Sequence, residues 1–489
     1  MRFSTTVVVT SLAAAGTLRA QPGPDTLGAL AAAKAHVREL SRLAPDSIWP
    51  GFRPDTIPLV FVLPGRGAVL YGWRGAPPDG FAEVPGAFGA LWAAEAAQGA
   101  ASTSTTLSGR RAAQVVVDSL EPAGLAALAM HEAFHAFARA SARPGRRFGG
   151  AENAALTSRY PVFEVREEAD FALEARLLDE ALAARAPAER RRLVHQFLAV
   201  REARQRRIGD DFAQFERMAE INEGLAEYAL VRTLSLLARS PDSTTARQAR
   251  ERLARHRARL RTVTDDLSRS VRLRFYATGP AIALLLDRGA GPAWKSRMME
   301  ENLSLQDALA QESGYREAET VLSRLAAERH GLDALRVHAA GTVERLRALR
   351  LAQRDSVLSR PGVQLVVDAS GMAQRDVGIC GFDPQNTFRV SPTVELHMRW
   401  LRPCNTNTTF GEFNTPVVHD AAAGTLTAVV GEESTLQVTI AGAPVRLADG
   451  ERREGEDIHV ITPAATYQAG RGILERRGRV LRLALLPPP

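Results

Sequence analysis

Apolar residues recur at three- and four-residue spacing through most of the chain, and the pattern changes character twice. Leu27, Leu30, Ala31, Lys34, Val37 and Leu40 follow helical spacing and predict a helix over 27–43. Two β-rich runs come next, 57–63 and 68–73, joined by the turn Pro64-Gly65-Arg66-Gly67. Residues 75–105 are rich in Gly, Ala, Ser and Thr and follow neither period. A short strand is expected at 114–117. Asp118, Ser119 and Pro122 then read as a helix start, and Leu125, Leu128, Phe134 and Phe137 give that helix a buried side. The stretch 141–156 reads as a loop. Helical spacing resumes at Phe163 and predicts helices over 164–184, 188–219 and 219–238, an exposed Arg-rich helix over 244–268, and more helix over 280–287 and 303–349. No repeat of fixed period is present.

The second change comes at Arg360-Pro361-Gly362. Beyond it lie short alternating or β-rich runs at 363–367, 393–401, 425–430, 435–440, 458–462 and 479–486, separated by Gly, Asn, Asp and Pro. The expected architecture is α+β. An α+β domain over 21–360, mostly helical in its later part, precedes a small all-β, sandwich-like domain over 361–489.

Composition refines this picture in three places. The chain of 489 residues is 45% hydrophobic and 24% charged, ordinary globular material with room for more than one domain. The net charge of +7 invites a nucleic-acid partner, but only two of the 62 basic residues are lysines, Lys34 and Lys295. The arginines alternate with acids along helices, as in Arg201-Glu202-Ala203-Arg204, and no basic cluster is interleaved with aromatics. No nucleic-acid partner is expected. Met1-Arg2 and the apolar run 7–16 read as a secretory signal over 1–20, and no later stretch is apolar enough to span a bilayer. An exported protein, periplasmic or secreted, is expected. In an oxidising compartment its two cysteines, Cys380 and Cys404, would form a disulfide. Two buried free thiols are the alternative.

The chemistry centres on His131-Glu132-Ala133-Phe134-His135. Two imidazoles four residues apart share one helix face and can reach one tetrahedral Zn²⁺. Glu132 follows the first of them, where a carboxylate can serve a zinc-activated water as general base. The motif needs a third ligand. Glu220-Ile221-Asn222-Glu223-Gly224-Leu225-Ala226-Glu227-Tyr228 offers one, and Glu167 or Glu168 are alternatives.

The stretch Asn222–Tyr228 resembles the N-E-G-F-A-x-Y segment of gluzincin metallopeptidases, above all aminopeptidase N-like enzymes. The resemblance implies a zincin-like fold and Glu223 as third zinc ligand beside His131 and His135. Glu223 and Glu227 are also similar to the E-x-x-x-D of thermolysin-like enzymes, which suggests Glu227 as a partner that orients a zinc-bound histidine; a solvated or ion-paired helix residue is the alternative. Phe275-Tyr276-Ala277-Thr278-Gly279, followed by apolar 281–286, resembles the Y-E-K-G segment of the same enzymes. By that match Tyr276 stabilises the oxyanion; a packing tyrosine is the alternative. The resemblance covers three motifs within 131–290. The segment 136–222 between the second His and Glu223 is far longer than in those enzymes, and no G-x-M-E-N stretch precedes His131. Endopeptidase and aminopeptidase action both stay open.

The resulting expectation is an exported enzyme with one Zn²⁺ that hydrolyses peptide or protein substrates. Two other classes compete with it. One is an inactive zincin-fold binding or assembly protein; the other is a β-domain adhesin or carbohydrate binder with a helical spacer. Glu132 speaks against the first, since a structural zinc has no use for it.

Overall fold

The computed structural model describes residues 21–44, 46–87, 89–94, 102–316, 320–373, 375, 377–384 and 386–487. The expected signal segment, 1–20, lies outside the described residues. Helix α1 (Pro24–Leu43) leads into strands β1 (Leu59–Leu63), β2 (Gly67–Tyr71), β3 (Ala82–Glu83), β4 (Ala90–Ala93), β5 (Thr103–Leu107) and β6 (Arg110–Val116). Helices then follow in succession: α2 (Pro122–Ala140), α3 (Leu156–Arg159), α4 (Val165–Ala183), α5 (Pro187–Ile208), α6 (Asp210–Ala219), α7 (Leu225–Leu237) and α8 (Ser243–Arg261). After them come α9 (Phe275–Gly289), α10 (Ala293–Glu301), α11 (Leu305–Ser313), α12 (Thr320–Arg329) and α13 (Leu332–Leu358). The rest is β: β7 (Gln364–Asp368), β8 (Ile379–Phe382), β9 (Thr387–Arg389), β10 (Val394–His397), β11 (Leu401–Pro403), β12 (Thr408–Phe413), β13 (Val417–Asp420), β14 (Thr425–Val429), β15 (Gln437–Ile440), β16 (Ala443–Pro444), β17 (Arg452–Ile461), β18 (Ala465–Arg477) and β19 (Val480–Leu485). The class is α+β. No described helix is long and apolar enough to cross a membrane.

The chain divides into two compact units, Met1–Arg143 with Ala226–Ala254, and Pro144–Leu225 with Arg255–Pro489. The first holds a six-stranded sheet in the order β3-β4-β2-β1-β6-β5, with β1 and β6 parallel. The stretch 75–105, which shows no period in the sequence, supplies β3, β4 and the start of β5. All five residues of β1 are buried, so both faces of the sheet are covered there. Helix α2 packs on β5, β6 and α1. Its start is Pro122 at the first helical position after Glu121, three residues later than the Asp118-Ser119 signal. Trp49 and Phe52 meet Phe134 edge-on, with ring centroids 5.5 and 5.4 Å apart. That aromatic cluster backs the middle of α2.

The second unit holds the thirteen-stranded sheet and most of the remaining helices. The helix expected over 188–219 is two helices, because Gly209 at φ 89° breaks it. The β-rich region begins at Gln364, just after α13 ends at Leu358. Its strands join in one sheet rather than two separate ones, because the long β18 pairs with β17, β19 and β12. The run 393–401 is not one strand: Met398–Trp400 separates β10 from β11. Cys380 on β8 and Cys404 after β11 stand at disulfide distance, with Cα atoms 5.5 Å apart on neighbouring antiparallel strands.

Between α6 and α7 the helix widens into a single π turn, Glu220–Gly224. Two features hold that turn in the second unit. One is backbone contact with α9: a Cβ on Gly224 would lie 2.6 Å from the Cα of Gly279. Only hydrogen fits on either side. The other is buried charge. Arg201 and Arg204 of α5 are 1% and 0% exposed. Arg201 donates to Glu174 (2.9 Å) and to both oxygens of Glu220 (2.9 and 3.0 Å). Arg204 donates to Glu174 (2.5 Å) and to Glu216 (2.6 and 2.9 Å). Thr278 of α9 donates to Glu220 (2.6 Å), and Tyr160 donates to Glu216. Burial alone would push the Glu216 carboxyl up, but the Arg204 guanidinium outweighs it and holds it down at about 2.

Two predictions follow from this packing. Gly279→Ala forces two helix backbones apart and should cost about 1–3 kcal/mol by urea unfolding; a variant as stable as the wild type would show that the contact is slack. Glu216→Gln leaves Arg204 short of one charge and should cost about 3–5 kcal/mol at pH 7. The folded-state value of Glu216 lies below its unfolded one, so its contribution is present above the unfolded range and fades as pH falls toward about 2. The gap between wild type and variant should therefore narrow from about pH 5 downward. A gap that stays constant over that range would contradict the ionised Glu216.

Candidate metal centre

His131 and His135 lie on α2, 3% and 7% exposed, and Glu132 beside them is 4% exposed. The four-residue spacing turns both imidazoles to one face, with ring centroids 4.9 Å apart. Their Nε2 atoms approach to 3.1 Å. The Nδ1 of His131 lies 3.0 Å from Oε2 of Glu227, which is itself 3% exposed on α7. A carboxylate only accepts, so His131 donates from Nδ1 and its Nε2 carries the lone pair. Two nitrogens at this separation suit one tetrahedral Zn²⁺, whose ligand atoms lie about 3.3 Å apart.

Glu223 sits in the π turn, one turn before Glu227 on the same continuous helical run. Such turns re-aim a side chain relative to a regular helix. All three residues are buried, His131 and His135 in the first unit and Glu223 in the second. The donor set, two imidazoles and one carboxylate, is the kind that binds zinc with a position left for water. The alternatives Glu167 and Glu168 are engaged elsewhere, by Arg207 (2.9 Å) and Arg274 (2.7 Å).

Two further residues bear on Glu223, and the motifs gave no sign of them. Arg272, in the 3₁₀ turn before α9, donates to Oε1 of Glu223 (2.5 Å) and also pairs with Glu152. Burial works against the Arg272 charge, but Glu223 and Glu152 outweigh it and hold the guanidinium well above its ordinary range. Burial, reinforced by Glu223, pushes the Glu152 carboxyl up despite Arg272. The only sequence clue was position: Arg272 lies one turn before Tyr276 and Glu152 in the loop after α2. Tyr276 is half-buried in the first turn of α9, and its electrostatic influence reaches Arg272.

The arrangement supplies a metal-sized cluster of buried lone pairs, an oriented histidine and an adjoining carboxylate. No protein-family model, no curated protein and no solved structure matches the chain.

Proposed function

We propose that the protein is an exported zinc-dependent peptidase with a zincin-like, gluzincin-type centre. The observation that carries this reading is the approach of the His131 and His135 Nε2 atoms to 3.1 Å on one face of α2, with Glu227 on the outer nitrogen of His131 and Glu132 next in sequence. His131, His135 and Glu223 would hold the ion. When bound, Zn²⁺ acidifies water and polarises a carbonyl. Glu132 accepts the proton of the attacking water and delivers it to the leaving amine. Glu227 holds the His131 tautomer that directs a lone pair to the site. Tyr276 donates its hydroxyl hydrogen to the oxygen on which negative charge develops. Peptide or protein is the substrate class.

The Arg272–Glu223 ion pair favours a second reading, a zincin-fold binding protein without activity. There Arg272 satisfies Glu223 and no metal is held.

Zinc content and turnover separate the two. His131→Ala, His135→Ala and Glu223→Ala should each abolish hydrolysis of a mixed peptide library and lower zinc content. Glu132→Gln should keep its zinc and lose about 10²–10⁴ in turnover, and Tyr276→Phe should lose about 10²–10³. A Glu132→Gln variant that keeps most of a zinc-dependent activity removes the mechanism. Wild-type protein that takes up no zinc through His131 and His135 supports the second reading.

A further inference from the structure

The β-rich region gathers a second set of ligand-type side chains, outside the motifs considered above. Strand period places Glu395 and His397 of β10 on one face. The antiparallel register sets His419 of β13 directly opposite Glu395. Leu396 and Val418 take the other face, where they pack with Val357 and Val390. One ligand atom of each of Glu395, His397 and His419 falls within 4.8 Å of the others.

The hydrogen bonds around His397 decide what that cluster lacks. Its Nδ1 lies 3.1 Å from the Thr387 hydroxyl oxygen, and that hydroxyl donates its hydrogen to the Asp383 carbonyl (2.8 Å). Thr387 therefore accepts from Nδ1, and the neutral ring carries its lone pair on Nε2. His397 is 1% exposed, and its Nε2 has no hydrogen-bond partner among the described residues. What faces that nitrogen is another acceptor, Oε2 of Glu395, at 3.7 Å. The same oxygen lies 3.8 Å from Nδ1 of His419. These separations exceed a hydrogen bond. They lie a few tenths of an ångström above the ligand–ligand edges of a tetrahedral Zn²⁺ site, about 3.3–3.6 Å, so the side chains would close slightly onto an ion. The other oxygen of Glu395 is already held, accepting from Ser158 (2.8 Å) with Arg159 at 3.8 Å. Oε2 is thus the oxygen left for the cluster, and both it and Nε2 of His397 are oriented by outer partners, as metal ligands are.

We propose that Glu395, His397 and His419 form a second zinc site, independent of His131 and His135. The Ser158 bond to Glu395 couples α3 to β10, so the ion would tie that short helix to the sheet.

The test is zinc stoichiometry of the full chain, by elemental analysis after equilibration with zinc chloride and removal of excess. A His131→Ala/His135→Ala variant reports on the β site alone and should retain about one zinc per chain. Adding His397→Gln should remove it, and so should Glu395→Gln or His419→Gln, with circular dichroism confirming that at least one of the three is folded. Zinc should also raise the unfolding temperature of His131→Ala/His135→Ala and leave that of the His397→Gln combination unchanged. A folded His131→Ala/His135→Ala variant that holds no zinc overturns the proposal. So does zinc that persists at the same level in folded His397→Gln and Glu395→Gln combinations, because it then sits elsewhere. If the first variant does not fold, His397→Gln and Glu395→Gln are compared with the wild type. Loss of one zinc per chain supports the site, and no loss overturns it.

Discussion

Arg201 and Arg204 cannot be buried without acids, and that constraint organises the second unit. A guanidinium out of water costs several kcal/mol unless its hydrogen bonds and charge are matched. Here Glu174, Glu216 and Glu220 match the charge from α4, α6 and the π turn, and they take every buried guanidinium nitrogen of the pair except Nη2 of Arg201. Losing one partner would strand a charge, so the four segments are locked in one arrangement. Glu220 opens the turn that carries Glu223, and Thr278 reaches the same Glu220 from α9. The position of a candidate metal ligand thus depends on ion pairs that take no part in any chemistry. The glycine pair 224 and 279 completes the lock, because close backbone approach lets Thr278 reach Glu220.

Much of this was legible in the sequence wherever the relevant distance is one helical turn. His131 and His135 are an i, i+4 pair on one regular helix, and helix geometry fixes their facing. The helices and β runs could be read for the same reason, from local period. What could not be read depends on long-range partners. Arg272 meets Glu223 and Glu152 across 49 and 120 positions. Ser158 meets Glu395 across 237. His419 becomes a neighbour of Glu395 only once β13 is in register with β10. Gly209 was visible, but the apolar period ran through it, and the sequence could not say that φ would be 89° there. The single sheet was hidden likewise, since β18 accepts three partners and pairing leaves little local trace.

The two histidine clusters share a logic that composition does not reveal. In each, an outer acceptor takes the Nδ1 hydrogen of one ring: Glu227 for His131, Thr387 for His397. At His397 the Nε2 lone pair then points at another acceptor, Oε2 of Glu395; at His131 it faces Nε2 of His135, which can donate or accept. Buried acceptors facing acceptors repel and forgo hydrogen bonds, the reverse of what a purely structural polar cluster requires. A core histidine kept for packing would face a carbonyl with N–H or a hydroxyl with its lone pair. A divalent cation would reverse the sign of the contact at His397, as proposed for that cluster.

Charge points the same way at the first cluster. Glu223 is buried, the side chain of Glu152 is only 6% exposed, and Arg272 is hydrogen-bonded to both. Burial pushes Glu152 toward its neutral form, which reduces the excess without removing it. Arg272 donates to Oε1 of Glu223, and a carboxylate has lone pairs on both oxygens. The guanidinium would hold the carboxylate in place, a positioning role of the kind metal ligands commonly receive from outer partners.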